Sequence, residues 1–237
     1  MKLKHVSLYV LLLLLVIFAS TVEVNAMQTG FSTEELSEEA KTEFMSNINV
    51  LPISTEPGKK GVVCFDVNEQ GMIAVGQRDS QAKRICVYNS RGEFLYGYAF
   101  DCSQGFLVEW DEINVNLYFL RSDVIISLDS CGNILDVRRV QNTIDNNSYR
   151  NSLLYSTTRS VDDITYLIRN DMGMLNWIAP SFSQIVTIDA SGTEVVIYDV
   201  NSMQLTRMII AVCFICVFVF VAVVVISRQF LKFRHSN

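Results

Sequence analysis

Between its two ends this chain has no histidine: the only two are His5 and His235. Without imidazole, no side chain in the middle has an ordinary pKa near neutrality. That excludes Ser/His/Asp and Cys/His nucleophilic sites and every His-containing zinc site from that region. Proline is scarce, with three residues, and no Gly-rich phosphate loop is present, since Gly71, Gly76, Gly92 and Gly97 are spaced as turn residues and strand ends. Basic charge is short as well. Residues 27–206 hold 13 Lys and Arg against 24 Asp and Glu, without a basic stripe, which argues against nucleic acid as a partner.

The hydrophobic excess, 50% of residues with only 19% charged, is concentrated at the two ends. Lys2 and Lys4 precede an apolar run from Val6 to Ala19, and Val24-Asn25-Ala26 places small residues before a cut ahead of Met27. Residues 1–26 therefore read as a secretory signal peptide, the alternative being an uncleaved anchor. Met208 to Ile226 is free of charge and, as a helix, about 28 Å long, enough to cross a bilayer. Arg228, Lys232 and Arg234 follow it, so the positive-inside rule puts residues 227–237 in the cytoplasm and residues 27–206 outside. The expectation is a single-pass cell-membrane protein. Its short tail interleaves bases with Phe230 and Phe233, as a membrane-hugging anchor does, and is too short for a folded output module.

Between these ends about 180 residues remain, one domain's worth. Ser32-Thr33-Glu34-Glu35 has the capping-box pattern, and Leu36, Ala40 and Phe44 follow at steps of four, predicting a short acidic helix over 31–48 and a linker to residue 60. From Gly61 to Val200 the texture is alternating β-formers broken by turns. An apolar strand, a turn ending in Gly and a second apolar strand recur around Gly71, Gly92, Gly132 and Gly192, each Gly able to take the positive φ of a tight turn. Gly92 and Gly132 are 40 residues apart, and Gly132 and Gly192 are 60 apart, the longer interval being swollen by Gln141–Arg150 and Met172–Gln184. A four-stranded unit of about 40 residues is the size of a propeller blade. Residues 201–207 read as a juxtamembrane stalk.

These hairpins, Val87-Tyr88-Asn89-Ser90-Arg91-Gly92-Glu93-Phe94 above all, resemble NHL-type β-propeller repeats over roughly residues 61–200. The resemblance implies a mainly β fold, a propeller-like array of about three four-stranded blades. It implies no function, and three blades fall short of the 4 to 8 of a closed ring. Antiparallel hairpins in a sandwich are the alternative.

Three groups of residues invite a chemical reading. Glu109, Asp111 and Glu112 flank Trp110, as a sugar-cleaving carboxylate pair would, although acids adjacent on a strand point to different faces; Asp162 and Asp163 are a similar pair. Asp66-Val67-Asn68-Glu69-Gln70-Gly71 imitates half of a calcium loop, but its twelfth position is Gln77, where a bidentate Glu is required. Cys64, Cys86, Cys102 and Cys131 face an oxidising exterior and are candidates for one or two disulfides or for plain thiols, while Cys213 and Cys216 lie in the membrane span as packing residues. No catalytic, metal or cofactor residue is assigned, and no cofactor is expected. The sequence thus points to a non-enzymatic, membrane-anchored extracytoplasmic protein that binds a protein or glycan or scaffolds a complex. An incomplete blade set further suggests a homo-oligomer or a repeat-containing partner. The alternative is a carbohydrate-active hydrolase using paired carboxylates.

Overall fold

The structure, a computed structural model, describes residues 27–78 and 83–235, with side chains through Ile226; the signal-peptide assignment for residues 1–26 lies outside the described residues. The described chain is mainly β, with three antiparallel sheets. Each is built on four consecutive strands in an up-and-down meander. The first sheet has β3 (Val62–Val67), β4 (Ile73–Arg78), β5 (Lys83–Tyr88) and β6 (Phe94–Phe100); the second has β7 (Phe106–Asp111), β8 (Asn114–Phe119), β9 (Val124–Leu128) and β10 (Ile134–Val140). The third has β11 (Thr158–Val161), β12 (Ile164–Arg169), β13 (Gln184–Ile188) and β14 (Glu194–Asp199). Two short strands ahead of the meanders complete the set: β1 (Thr33–Glu35) pairs with β10 and β2 (Leu51–Ile53) with β6.

The first sheet lies between the other two, which is why its strands read as near-continuous apolar runs. One face, with Cys64, Ala74, Ile85, Val87, Tyr98 and Phe100, shares a core with Leu107, Leu117, Phe119 and Ile126 of the second sheet. The other, with Val62, Phe65, Ile73, Val75, Cys86 and Tyr88, shares a core with Tyr166, Ile168, Ile185 and Tyr198 of the third. Strict alternation would put Val62 and Cys64 on one face. A β-bulge between them turns Val62 to the face of Phe65, and Val62 then bridges to Phe182, two residues before β13 of the third sheet.

The N-terminal helix α1 runs Glu38–Ile48, not from residue 31. Its cap is Ser37, whose side chain accepts from the Ala40 N–H at 3.3 Å. Ser32 cannot serve as the cap because its backbone is taken: its N–H donates to Asn146 Oδ1 at 2.8 Å and its carbonyl accepts from Asn146 Nδ2 at 2.9 Å. Residues 33–35 are then drawn out along β10. The polar insertion after β10, in which the sequence gives no convincing helical period, forms a second helix α2 (Ile144–Tyr155), capped by Thr143 on the Asn146 N–H. Its asparagines and serines are poor helix formers. The tertiary contacts of the buried Asn146 and the packing of Tyr149 against Phe31, with ring centroids 4.9 Å apart, hold it in place. The Met172–Gln184 insertion contributes a 3₁₀ turn over Gly173–Ile178. The final helix α3 spans Asn201–His235, so residues 201–207 are its first turns rather than a separate stalk, and it is long and apolar enough to cross a membrane.

The repeated turns share one construction. Gly92, Gly132 and Gly192 close the loop from third to fourth strand in their sheets with φ of 78°, 86° and 82°, and Gly71 closes a first-to-second loop with φ 74°. In each, an Asn or Asp three residues earlier uses Oδ1 to accept two backbone N–H groups: Asn68 from Gln70 and Met72, Asn89 from Arg91 and Glu93, Asp129 from Cys131 and Asn133, Asp189 from Ser191 and Thr193. Bonds from the Ser191 hydroxyl and the Thr193 N–H hold the Asp189 carboxyl below its ordinary value. At Asp129 partial burial pulls upward, and the bonds from Asn133 and Cys131 outweigh it. A carboxyl depressed by folding contributes stability above its unfolded pKa of about 3.9 and loses it as pH falls through the folded value. Asn keeps one acceptor oxygen but neither the charge nor the second oxygen, which at Asp129 accepts from Asn133 Nδ2. The double variant Asp129→Asn/Asp189→Asn is therefore expected to melt below the parent at neutral pH and to lose less stability on acidification, so that the two converge at the acid end of thermal denaturation followed between about pH 2 and 6.

Candidate functional site

The first strands of the three meanders converge on Asp66, the next-to-last residue of β3. Its Oδ2 accepts the backbone N–H of Trp110 on β7 at 2.8 Å, and its Oδ1 accepts Arg159 Nε of β11, also at 2.8 Å. The Trp110 indole N–H donates to the Asp66 carbonyl at 3.2 Å, and the Arg159 guanidinium lies 5.2 Å from the centre of the Phe65 ring. Burial pushes the Asp66 carboxyl above its ordinary value, against the opposing pull of the Trp110 N–H and Arg159. One side chain thus ties all three sheets together at the edges formed by β3, β7 and β11.

Beside it opens a polar cleft lined by Asp66, Asn68, Glu69, Glu109, Asp111 and Glu112, together with Gln28 and Thr29. The structure therefore brings together the two acidic groups of the sequence, the one around Trp110 and the one at 66–71. Glu109 and Asp111, two apart on β7, both reach the N-terminal arm. Glu109 accepts from Thr29 Oγ1 at 2.6 Å, from the Gly30 N–H at 2.9 Å and from the Tyr149 hydroxyl, and Asp111 accepts from the Gln28 N–H at 2.8 Å. Burial, with Glu112 adding to it, raises the Asp111 carboxyl, and the Gln28 N–H opposes. Gly30 permits this clasp, since a β-carbon there would come within 2.2 Å of the Tyr149 ring. Glu112 occupies the β7–β8 turn at φ 54°, and its carbonyl accepts from Asn68 Nδ2 at 3.1 Å. A glycosidase pair needs one carboxyl to give a proton to the substrate and another to face the same space as base or nucleophile. Here Glu109 and Asp111 bind backbone of the chain's own arm and Asp66 binds Arg159, so the cleft is built as a clasp.

The other sequence candidates are dispersed. Asp162 and Asp163 form the β11–β12 turn, Asp162 at φ 50°. Among the described residues no group of three or more His, Cys, Asp or Glu is arranged to hold a metal, and Gln77, at the twelfth position of the calcium-like segment, is buried within β4. Cys64, Cys86, Cys102 and Cys131 are free thiols in the structure. Cys64 and Cys86 sit on opposite faces of the first sheet with β4 between them, and burial pushes their thiols up to about 12 and about 11. Cys131 is exposed at the tip of the Asp129–Asn133 turn.

No protein-family profile matches this chain, and no curated protein matches it either.

The remaining distinctive geometry is how the sheets abut. The Gly132 turn of the second sheet packs on the first, where a β-carbon would stand 3.3 Å from Tyr98. The equivalent Gly92 turn of the first sheet packs on the third, where a β-carbon would stand 2.2 Å from the Ile197 carbonyl oxygen on β14. At the Gly192 turn of the third sheet a β-carbon would meet no atom of the described residues within 4 Å. The same relation therefore steps from second sheet to first to third, and there it stops. At the opposite end, Phe31 and Tyr149 cover the second sheet at Tyr118. β1 and β2 add a fifth strand outside β10 and β6, whereas among the described residues β14 pairs only with β13 and leaves Val195 and Val196 53% and 45% exposed. Sequence reasoning names Gly192 but has no means of seeing that its surroundings differ from those of Gly92, because the neighbour of each turn belongs to another sheet.

Proposed function

We propose that this chain is a membrane-anchored, extracytoplasmic binding or scaffolding protein whose three meanders form a propeller-like array, and that it docks a partner on the free end of the third sheet. The observation that carries this reading is the stepwise contact of equivalent glycine turns, filled for Gly132 and Gly92 and open for Gly192. The three four-stranded meanders and the NHL-like turns support a propeller-like arrangement. The occupied carboxylates of the clasp favour binding over hydrolysis. The basic residues after the apolar stretch of α3 favour placing the domain outside.

The occupant is a second copy, third sheet to third sheet. With the far end of the array covered, head-to-tail growth is blocked, and contact between two free ends closes at a dimer related by a two-fold axis. Two copies carried by α3 in one bilayer also meet at raised effective concentration. The full chain in detergent or nanodiscs is expected to be a dimer by light scattering, and Val195→Lys/Val196→Lys is expected to raise its dissociation constant at least tenfold. A monomer at every concentration would exclude the second copy and leave the third sheet to a different protein or a glycan.

A further inference from the structure

At the root of α3 a groove of about 480 Å³ runs between the helix and the domain. One face of α3 forms its wall: Gln204, Arg207, Met208, Ala211, Val212 and Ile215 recur at helical spacing. From Gln204 to Ile215 this is about 16 Å of helix. Lys60 and Arg78 join Arg207 at the domain end, while beyond Arg207 the helix wall is wholly apolar. Among the described residues no Asp or Glu lines the groove, although residues 27–206 carry nearly two acids for each base. The groove is also where a buried polar atom lacks a partner: Gln204 is 8% exposed, its Nε2 donates to the Ser181 carbonyl at 2.8 Å, and its Oε1 has no hydrogen-bond donor. A buried acceptor left so is costly, and it calls for a donor from whatever fills the groove. Alongside, Ile178 and Pro180 form part of the wall, and the 3₁₀ turn that ends at Ile178 presents Met174 and Trp177 at 88% and 84% exposed. An exposed tryptophan beside the first turns of a membrane helix is placed where aromatic belts lie, at head-group depth.

We propose that this groove holds an anionic phospholipid from the leaflet on the domain's side, with a head group that carries a hydroxyl, as phosphatidylglycerol does. Lys60, Arg78 and Arg207 receive the phosphate, a head-group hydroxyl donates to Gln204 Oε1, and an acyl chain follows Met208, Ala211, Val212 and Ile215. Trp177 and Met174 rest in the same interface, so the lipid and the 3₁₀ turn together fix how the domain stands on the membrane. The site does not depend on the dimer proposed above, because it lies between α3 and its own domain.

The test is native mass spectrometry of the full chain in detergent, offered phosphatidylglycerol, phosphatidylcholine and phosphatidylmethanol with identical acyl chains. The native chain is expected to retain phosphatidylglycerol at least tenfold over phosphatidylcholine. Arg78→Gln/Arg207→Gln, with an unchanged circular dichroism spectrum and melting curve, is expected to bring the two level. Gln204→Leu is expected to keep the preference over phosphatidylcholine and to lose the native chain's preference over phosphatidylmethanol, an anionic phosphodiester without a head-group hydroxyl. As a second readout, brominated phosphatidylglycerol in nanodiscs should quench tryptophan fluorescence more than brominated phosphatidylcholine, and the difference should vanish in Trp177→Phe. Equal retention of phosphatidylglycerol and phosphatidylcholine by the native chain, or a preference untouched in Arg78→Gln/Arg207→Gln, overturns the site.

Discussion

Gly92→Ala is expected to destabilise the domain by roughly 3 kcal/mol or more, whereas Gly192→Ala, at the equivalent turn, should cost only about 1 to 2 kcal/mol. The φ values, 78° and 82°, are nearly the same, so the left-handed penalty of about 1 to 2 kcal/mol is common to both. What differs is the neighbour. At Gly92 the new β-carbon would stand 2.2 Å from the Ile197 carbonyl oxygen, a backbone atom on β14 that cannot rotate away, so the first and third sheets must separate or the turn must open. At Gly192 the same carbon points into open space. Gly132→Ala should fall between, because its nearest neighbour at 3.3 Å is the ring of Tyr98, a side chain with some room to yield. Denaturant unfolding of the full chain in detergent measures all three. Equal losses at Gly92 and Gly192 would contradict the close approach of the first and third sheets.

Asp66→Ala is expected to cost about 3 to 5 kcal/mol, the loss typical of breaking one side of a buried ion pair. Both partners are largely enclosed, with side chains 14% and 17% exposed, and removal of the carboxylate strands the Arg159 guanidinium above Phe65 and leaves the Trp110 N–H unpaired. The two losses can be separated. Asp66→Asn keeps an acceptor for Trp110 but not the charge, so it should recover about 1 kcal/mol of the Asp66→Ala loss. Combined with Arg159→Met, which removes the stranded cation, it should recover most of the remainder, since a buried pair replaced as a whole is often close to neutral. A double-mutant cycle by chemical denaturation gives the coupling, expected at about 1 to 3 kcal/mol. Additive losses from Asp66→Asn and Arg159→Met would show that the pair does not join the sheets.

Much of the fold was legible because it is local. Alternation of apolar and polar residues marks a strand whatever it packs on, and the Asn or Asp three residues before a Gly specifies a turn through bonds made within five residues, so the positions of Gly71, Gly92, Gly132 and Gly192 follow from the chain alone. The apolar stretch of α3 is equally local, since crossing a bilayer is a matter of length and composition. The helix boundaries were less so. Ser32 has the residues of a cap, yet the side chain of Asn146, 114 positions away, takes its backbone groups and Ser37 starts the helix instead. Helix α2 went unseen for the matching reason, since asparagine and serine disfavour a helix until contacts from elsewhere hold it.

The candidate sites depend on distance along the chain even more. That the acids around Trp110 are neighbours was plain from the sequence, but their hydrogen-bond partners are Gln28, Thr29 and Gly30, some 80 residues earlier. Lys60, Arg78 and Arg207 are unremarkable in three separate segments and become a basic mouth only when α3 docks against the first sheet's edge. Sequence by itself determined the strands, their repeating turns, an apolar helix long enough to cross a membrane and the absence of histidine between residues 6 and 234, all properties of residues close together or of composition. The tertiary structure alone decided the order in which the sheets stack, which carboxylates are already bound and which glycine turn is left open, because each depends on a partner that the chain brings in from far away.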